Sequence, residues 1–385
     1  MIRSRTITRI PFHILPTTNT ATKSITEHEL EIKLEEVEDP DIGDDIVSLG
    51  LVNDVVIDDE TARISLAFNA PYAPSEMAIG NQIRDVIEDA GLEPDLRAHV
   101  GEEHGFDDEV LPNVRNVIAV SSGKGGVGKT TVAANLAAGL EKRGAMVGLL
   151  DADIHGPNVP QILPPESDPG VTPNEEIVPP RSDGVRVISM GMMMEDDDDP
   201  AILRGPMVNK FMMKFLEGVE WGRLDYLIVD LPPGTGDATL NLLQSMPVTG
   251  SVVVTTPQEM ALDDTRKGIQ MFNKHDTPVF GVVENMSSFI CPSCGDQHGL
   301  FGTGGADTIV DKYDVPLLGK IPIHPDFGAD GSEGALVKDD DSEVQQHLED
   351  LVGEVADRIG EANRRTVSEN ITQEPANKLP TETKD

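Results

Sequence analysis

Cysteine is almost missing from this chain: among 385 residues only Cys291 and Cys294 carry thiols. Two cysteines cannot make a disulfide framework. Aromatic residues are also scarce, at 4% with a single tryptophan. Cations are outnumbered, with 30 Lys and Arg against 68 Asp and Glu, which leaves a formal net charge of −38. Such a surface repels nucleic acid and anionic membranes, so neither is expected as a partner. The acids are spread along the chain instead of being held in one tail. The simplest reading is halophilic adaptation, to a salt-rich cytoplasm that screens charge within a few ångströms. Long apolar runs are missing too: "VIAV" and "VGLL" are far too short to cross a bilayer. The N-terminal stretch has arginines but no apolar core of a secretory signal. Its lack of acids resembles an organellar presequence, but the reading adopted is a disordered leader in a cytoplasmic protein.

The length allows two or three domains and a large core. Residues 1–26 read as the leader, 27–103 as a small α+β domain, and the acidic, Gly-containing stretch 104–113 as a linker. In the small domain, "EHELEIKLEEV" fits a helix. "DIVSLGLVNDVVIDD" and "ARISLAFNAP" alternate like paired strands around a "DDET" turn, and "LRAHV" fits a last strand. "SEMAIGNQIRDVIEDAG" fits a second helix, with Ser75 as N-cap and Gly91 as stop. From residue 114 to 360, continuous apolar strands alternate with helices. That is the pattern of an α/β domain with a mostly parallel sheet covered by helices on both faces. Val344, Leu348, Leu351, Val355 and Ile359 give its closing helix one apolar face, and the polar residues 361–385 read as a disordered tail.

The strongest motif is "VIAVSSGKGGVGKTT". A buried strand runs into a glycine-rich loop and then into a helix, the context that the pattern G-x-x-x-x-G-K-[ST] requires. Gly123, Gly125, Gly126 and Gly128, with Val127 among them, let backbone N–H groups curl inward toward phosphate oxygens. Lys129 brings positive charge to the β- and γ-phosphates, Thr130 brings a hydroxyl to Mg²⁺, and Thr131 completes the set. Asp151 and Asp153 in "GLLDADIHGPN" stand at a strand's carboxyl end, where ligands collect in open α/β sheets. "DYLIVDLPPGTGD" ends a buried strand at Asp230, a residue suited to hold Mg²⁺ through water, and leads to Asp237 in a switch loop that senses the γ-phosphate.

The thiols sit in "CPSCG", deep in this P-loop region. A redox pair normally starts a helix in a thioredoxin-like unit, which does not match this position. A structural zinc site needs four ligands, and one chain offers two thiols with His298 nearby, so a Cys₂His site completed from elsewhere stays open. Two chains facing each other across a two-fold axis would supply four thiolates, enough for a [4Fe–4S] cluster or a zinc ion. Glycines 295, 299, 302, 304 and 305 suit a mobile, exposed loop around them. Four methionines, Met190, Met192, Met193 and Met194, read as flexible packing in the core or at a dimer surface instead of a thioether site. The acids Glu195 to Asp199 read as a solvated loop; Arg204 reads equally as a nucleotide or partner contact and as an ion pair.

The loop "GKGGVGKT" resembles the deviant Walker A motif of the MinD/ParA-like ATPases. That resemblance implies a nucleotide-sandwich homodimer in which Lys124 reaches the partner's nucleotide. It also implies that Asp153 orients the attacking water and that Asn285, at the end of "GVVEN", meets adenine, so that ATP is preferred over GTP. With "DADIHGPNVP", "LRGPMV", "WGRLDYLIVDLPPGTGDATL", "ENMSSF", "CPSCG" and "LLGKIPIHP" in order, residues 112–355 resemble the Mrp/ApbC family of iron–sulfur cluster carrier ATPases. The family implies a homodimer that bridges a [4Fe–4S] cluster with Cys291 and Cys294, takes it from iron–sulfur donor proteins and passes it to apo-protein recipients. "EDPDIGDDIVSLGLVNDVVI" and "APYAPSEM" resemble a PaaD-like/SufT-like domain. Members of that group commonly have a cysteine where Ala73 stands, so a docking or regulatory role is expected in place of cluster ligation. Two other functions fit parts of the pattern: a ParA/MinD-like positioning ATPase and a zinc-bridged adaptor ATPase. The motifs contain no in-cis arginine finger, so slow hydrolysis is expected.

Overall fold

Strand β4 (Val114–Ser122) is buried along almost its whole length, with no alternation of exposed and buried residues. A strand of this kind needs cover on both faces, and it lies inside the large sheet. The computed structural model describes residues 25–98, 110–153, 156–193, 212–291, 293–302, 304–327, 335–339, 342 and 344–373. The further strands of that region are β5 (Val147–Asp151), β6 (Gly170–Val171), β7 (Ile177–Val178), β8 (Arg181–Ser182), β9 (Val185–Ser189) and β10 (Leu224–Asp230). They continue with β11 (Gly250–Thr255), β12 (Val279–Ile290), β13 (Gln297–His298) and β14 (Leu317–Ile323). Among the described residues β6 and β7 pair with each other as a separate antiparallel ribbon, and the others form a nine-stranded sheet, ordered β13-β12-β11-β4-β10-β5-β9-β8, with β14 on β12. The pairings from β9 through β12 and on to β14 are parallel; β8 and β13 are antiparallel additions. The α/β fold with a mostly parallel sheet, expected from the alternation of strands and helices, is thus the one formed.

Helix α3 (Lys129–Lys142) follows β4 across a short loop and buries an unbroken run from Val132 to Leu140, made of small and aliphatic residues apart from Asn135. It shares one hydrophobic core with Leu348, Leu351, Val355 and Ile359, the apolar face read from the sequence. The opposite face of the sheet packs a second core around Trp221, Phe215, Ile269 and Phe272. No described helix is long and apolar enough to cross a membrane.

The N-terminal unit is built on β1 (Val52–Asp58), β2 (Thr61–Leu66) and β3 (Glu93–Ala98), in that order. Helix α1 (Glu27–Leu34) and helix α2 (Pro74–Asp89) complete its core through Leu30, Leu34, Ile79, Ile83 and Ile87. Thr26, read as part of the leader, is the N-cap of α1: its hydroxyl accepts from Glu29 N, and the Glu29 carboxylate accepts from Thr26 N. Helix α2 starts one residue before the expected cap. Ala73 is the N-cap and Pro74 takes the first helical position, where a missing N–H costs nothing. Ser75 N donates instead to Asp357 on the C-terminal helix. Gly91 does end α2, in the left-handed conformation at φ +79°.

The tail reading fails between 361 and 373. Short α4 (Val159–Ile162), α5 (Asp237–Gln244), α6 (Glu259–Lys274) and α7 (Gly305–Tyr313) precede a 29-residue helix α8 (Gln345–Gln373). The cause is a buried cation. Arg364 is fully buried, with Nε 2.6 Å from Asp39, Nη2 2.6 Å from Asp41 and Nη1 3.5 Å from Glu76. Val367 also packs on the N-terminal core. A polar stretch that reads as solvated becomes helical because distant carboxylates neutralise it. Further bonds fasten the two units: Tyr226 Oη donates to Pro71 O at 2.8 Å and Asn116 Nδ2 to Asn69 O at 2.6 Å. Burial pushes the Glu76 carboxyl up to about 7, against the pull of Arg364. The leader up to residue 24, most of the linker and residues 374–385 lie outside the described residues. Removing one partner of a buried ion pair leaves the other uncompensated, so Arg364→Ala is expected to destabilise the protein by about 3–5 kcal/mol in urea denaturation; a loss below about 1 kcal/mol would show that Arg364 does not hold the helix.

Candidate functional site

The phosphate loop forms where β4 ends. Helix α6 presses against it so closely that a Cβ on Gly123 would lie 2.3 Å from the Asp264 carbonyl carbon and 2.6 Å from Thr265 N. Only glycine fits there. Gly126 and Gly128 hold left-handed backbone at φ +79° and +80°. Gly128 is the N-cap of α3, so the positive end of a 14-residue helix points into the cleft. The cleft has a volume of about 430 Å³ and is lined by Gly125, Gly126, Gly128, Lys129, Thr130, Thr131 and Asp153 among others. Val127 is buried behind the loop.

Asp230, at the end of β10, is the centre of the charged groups. Lys129 Nζ lies 2.5 Å from its Oδ1, and Thr130 Oγ1 donates to its Oδ2 at 2.6 Å. Burial raises the Asp230 carboxyl, and the Lys129 ammonium opposes that rise. Asp151 is its neighbour in register across the β5–β10 pair. Asp151 accepts from Asp153 N at 3.1 Å, Val159 N at 3.2 Å and Ser189 Oγ at 2.9 Å. Burial, then the charge of Asp230, pushes Asp151 up to about 7. Asp153 itself is half-buried at the cleft. Gly234 N donates to Ser122 O at 2.8 Å, which ties the switch segment to the phosphate loop, while Asp237 opens α5 on the exposed side.

Two residues take local partners of their own. Lys124 Nζ donates to Gln258 Oε1 at 3.3 Å, within the same chain. Asn285 is buried with its Nδ2 donating to Val127 O at 2.9 Å and its Oδ1 accepting from Met286 N at 2.9 Å. A Cβ on Gly128 would meet that Nδ2 at 2.1 Å. Asn285 therefore braces the back of the phosphate loop. Sequence reasoning did not single out Gln258, Ser189 or Glu284, whose buried carboxylate accepts from Ala306 N at the start of α7. The only available signal was that Gln258 closely follows the apolar strand β11 and that Glu284 ends the apolar first half of β12.

The thiols stand at the tip of a hairpin on the same strand as Asn285. Phe289 pairs with His298 and Ile290 with Gln297. The turn is closed by Cys291 N donating to Asp296 O at 3.0 Å, while Cys294 N and Gly295 N both donate to Cys291 O. Gly295 adopts φ +74° there. Both thiols are free, Cys291 half-buried and Cys294 exposed. The Ser293 N–H, then Cys294, lowers the Cys291 pKa, which favours its thiolate. His298 is exposed, and among the described residues no three His, Cys, Asp or Glu side chains converge to hold a metal. Cys294 Sγ is 3.4 Å from the Asp296 carboxylate, but among the described residues no third side chain joins the two thiols in a metal-holding group. Met190 is buried in the second core and Met192 packs on the first, in keeping with the packing reading. Met194, Glu195 to Asp199 and Arg204 lie outside the described residues.

Residues 113–356 match the family described as NUBPL iron-transfer P-loop NTPase, and residues 27–99 match a family described as iron-sulfur cluster assembly protein. An iron-sulfur cluster carrier protein of Synechocystis is 39% identical over 341 residues, 86% of this chain and 96% of that one. One of Deinococcus radiodurans is 40% identical over 347 residues, 89% of this chain and 97% of that one. A nucleotide-binding protein of Archaeoglobus fulgidus, solved in complex with ADP and with Co, is 36% identical at a TM-score of 0.50, covering 64% of this chain and 89% of that chain.

The raised Asp151 carboxyl generates a pH test. Between the ordinary value of 3.8 and about 7 the native state keeps a proton that the unfolded chain has released. Its contribution to stability therefore falls as pH rises through that window and levels off above it. Thermal melts of the wild type and Asp151→Asn should diverge with rising pH, the variant lacking this fall; parallel curves from about pH 5 to about pH 8 would place the Asp151 titration elsewhere.

Proposed function

This chain belongs to the NUBPL iron-transfer P-loop NTPase family, and from that membership we propose an ATP-dependent carrier whose homodimer holds a [4Fe–4S] cluster between two pairs of thiols. The cluster is cargo, received from donor proteins and passed to apo-proteins. The observation that carries this reading is the pair of free thiols on a hairpin, one half-buried and one exposed, with no third ligand converging on them among the described residues. A two-ligand site suits an assembly in which a second copy supplies the other two thiolates. The names of the relatives support the carrier reading, and the ADP complex of the Archaeoglobus protein supports nucleotide binding in the cleft.

The donors fit Mg²⁺: the Thr130 hydroxyl and Asp230 carboxylate are hard oxygens that already meet at 2.6 Å. When bound, Mg²⁺ neutralises charge on the phosphates. Lys129, held by Asp230, turns its ammonium to phosphate oxygens when these compete for it. The loop N–H groups and the α3 N-terminus bind the same oxygens. Asp153 orients the attacking water, Asp237 senses the γ-phosphate through the switch loop, and Lys124 leaves Gln258 to reach the partner's nucleotide. Asn285 has one N–H committed to Val127 O and offers the other to adenine, which favours ATP. Because β12 carries both Asn285 and the thiol hairpin, a shift of the loop reaches the cluster ligands along one strand.

Anaerobic reconstitution is expected to load about two irons per chain. Cys291→Ser with Cys294→Ser should load none while still binding ATP; equal iron in that variant would sink the ligand assignment. Zinc in place of iron in anaerobically purified protein would favour an adaptor function. Lys124→Ala is expected to lower the already slow ATP turnover by about a thousandfold or more, in the range of other cations acting in trans; unchanged turnover would remove Lys124 from the reaction.

A further inference from the structure

A cavity of about 500 Å³ lies at the seam between the N-terminal unit and the large sheet, apart from both the nucleotide cleft and the thiol hairpin. Its floor is apolar, with Leu66, Phe68 and Leu96 from the small sheet. Three guanidinium groups surround it: Arg84 from α2, Arg115 from β4 and Arg223 just ahead of β10. We propose that this cavity binds an acidic peptide segment of a partner protein, with an apolar side chain of the peptide on the floor and its carboxylates on the arginines.

Charge complementarity carries the choice of occupant. Acids outnumber cations 68 to 30 in the sequence, yet three arginines share this one cavity. Arg84 and Arg223 are exposed, and neither forms a salt bridge among the described residues; Arg84 donates only to Asn81, one turn away on its own helix. Arg115 is 3.6 Å from Asp225 and keeps further N–H groups for a ligand. The two acids of the lining already have partners, Arg115 among them. Glu76 accepts from Asn69 N and Ala70 N and faces Arg364, while Asp225 accepts from Met146 N. Planar guanidinium forks pair bidentately with carboxylates, which gives such a ligand direction as well as attraction.

The apolar part argues against a bare inorganic anion. Met77 is 54% exposed and Tyr72 39% exposed at the rim, large apolar surfaces that a small anion would leave wet. Tyr72 is also held in the left-handed region at φ +67°, where a non-glycine residue is strained. The anchors on either side are the Tyr226–Pro71 and Asn116–Asn69 hydrogen bonds, so the wall is fixed in place before any ligand arrives. The volume admits one or two side chains and a short length of backbone, not a folded domain. Each wall comes from a different unit, so the ligand would also report on how the units are joined. Failure of this proposal would leave cluster carriage untouched, since none of its residues belongs to either site.

The test is fluorescence anisotropy on the full chain with a fluorescein-labelled octapeptide alternating Glu or Asp with Leu or Phe. Two control peptides replace the acids by Gln and Asn, or the Leu and Phe by Ser. Saturable binding to the first peptide is expected, with both controls and both variants Arg84→Glu and Arg223→Glu weakened about tenfold or more. The two arginines are exposed, so thermal midpoints of the variants should match the wild type and exclude misfolding as the cause. No saturable binding up to about 1 mM would overturn the proposal. So would equal affinity in the variants, or full competition by inorganic phosphate with the Ser peptide binding as well as the first. Binding that appears only after Glu102, Glu103, Asp107, Asp108 and Glu109 are replaced by Ser would overturn the partner in favour of the chain's own acids.

Discussion

The hydrogen bond from Asn285 Nδ2 to Val127 O joins two pieces of chemistry that are otherwise separate. On one side is a loop built to curl around phosphate; on the other, the strand that ends in the paired thiols. The contact leaves no room for adjustment, since any side chain on Gly128 would strike the amide. The next residue, Met286, takes a left-handed φ of +55°, and the pairing of β12 with β14 shifts register just beyond it. A strand interrupted at that point can change the angle of its outer half without unpairing its inner half. In the proposed carrier, nucleotide state reaches the cluster by this short route, and no long pathway is needed.

The charged groups divide into two types. In the cleft, Asp230, Lys129 and Thr130 satisfy one another at hydrogen-bond distance in a buried setting, where an isolated charge would be expensive. In the proposed carrier these contacts are exchanged for phosphate and metal. At the seam between units, Arg364 is fully buried and paired to the buried Asp39 and, at the rim, to Asp41, but nothing there competes for it. The first arrangement is a switch and the second a rivet, and burial distinguishes neither; what differs is the open volume beside the first.

Much of this was legible in the sequence where the signal is local. The glycine spacing of the phosphate loop, the apolar strand ending at Asp230 and the stripe from Val344 to Ile359 each specify their structure within a few residues. The rest depends on contacts across long separations. Arg364 reads as part of a polar tail because its carboxylates lie 325 and 323 residues away along the chain. Ser75 reads as a helix cap until Pro74 takes the first turn and Asp357 claims the serine N–H. Asn285 reads as a group for the base, and its bond to the loop backbone appears only once β12 lies beside β11, one strand away from β4 in the sheet. Ser189 and Gln258 carry no motif at all, and their roles come entirely from the strand β9 and the start of α6 that place them beside Asp151 and Lys124.

The central claim is that two copies share one inorganic cargo. Native mass spectrometry of the anaerobically purified chain tests it most directly. The account predicts a dimer carrying a single four-iron, four-sulfide unit, which is lost, with its sulfide released, when an iron chelator removes the iron. A cluster or zinc ion bound stoichiometrically to the monomer would contradict it.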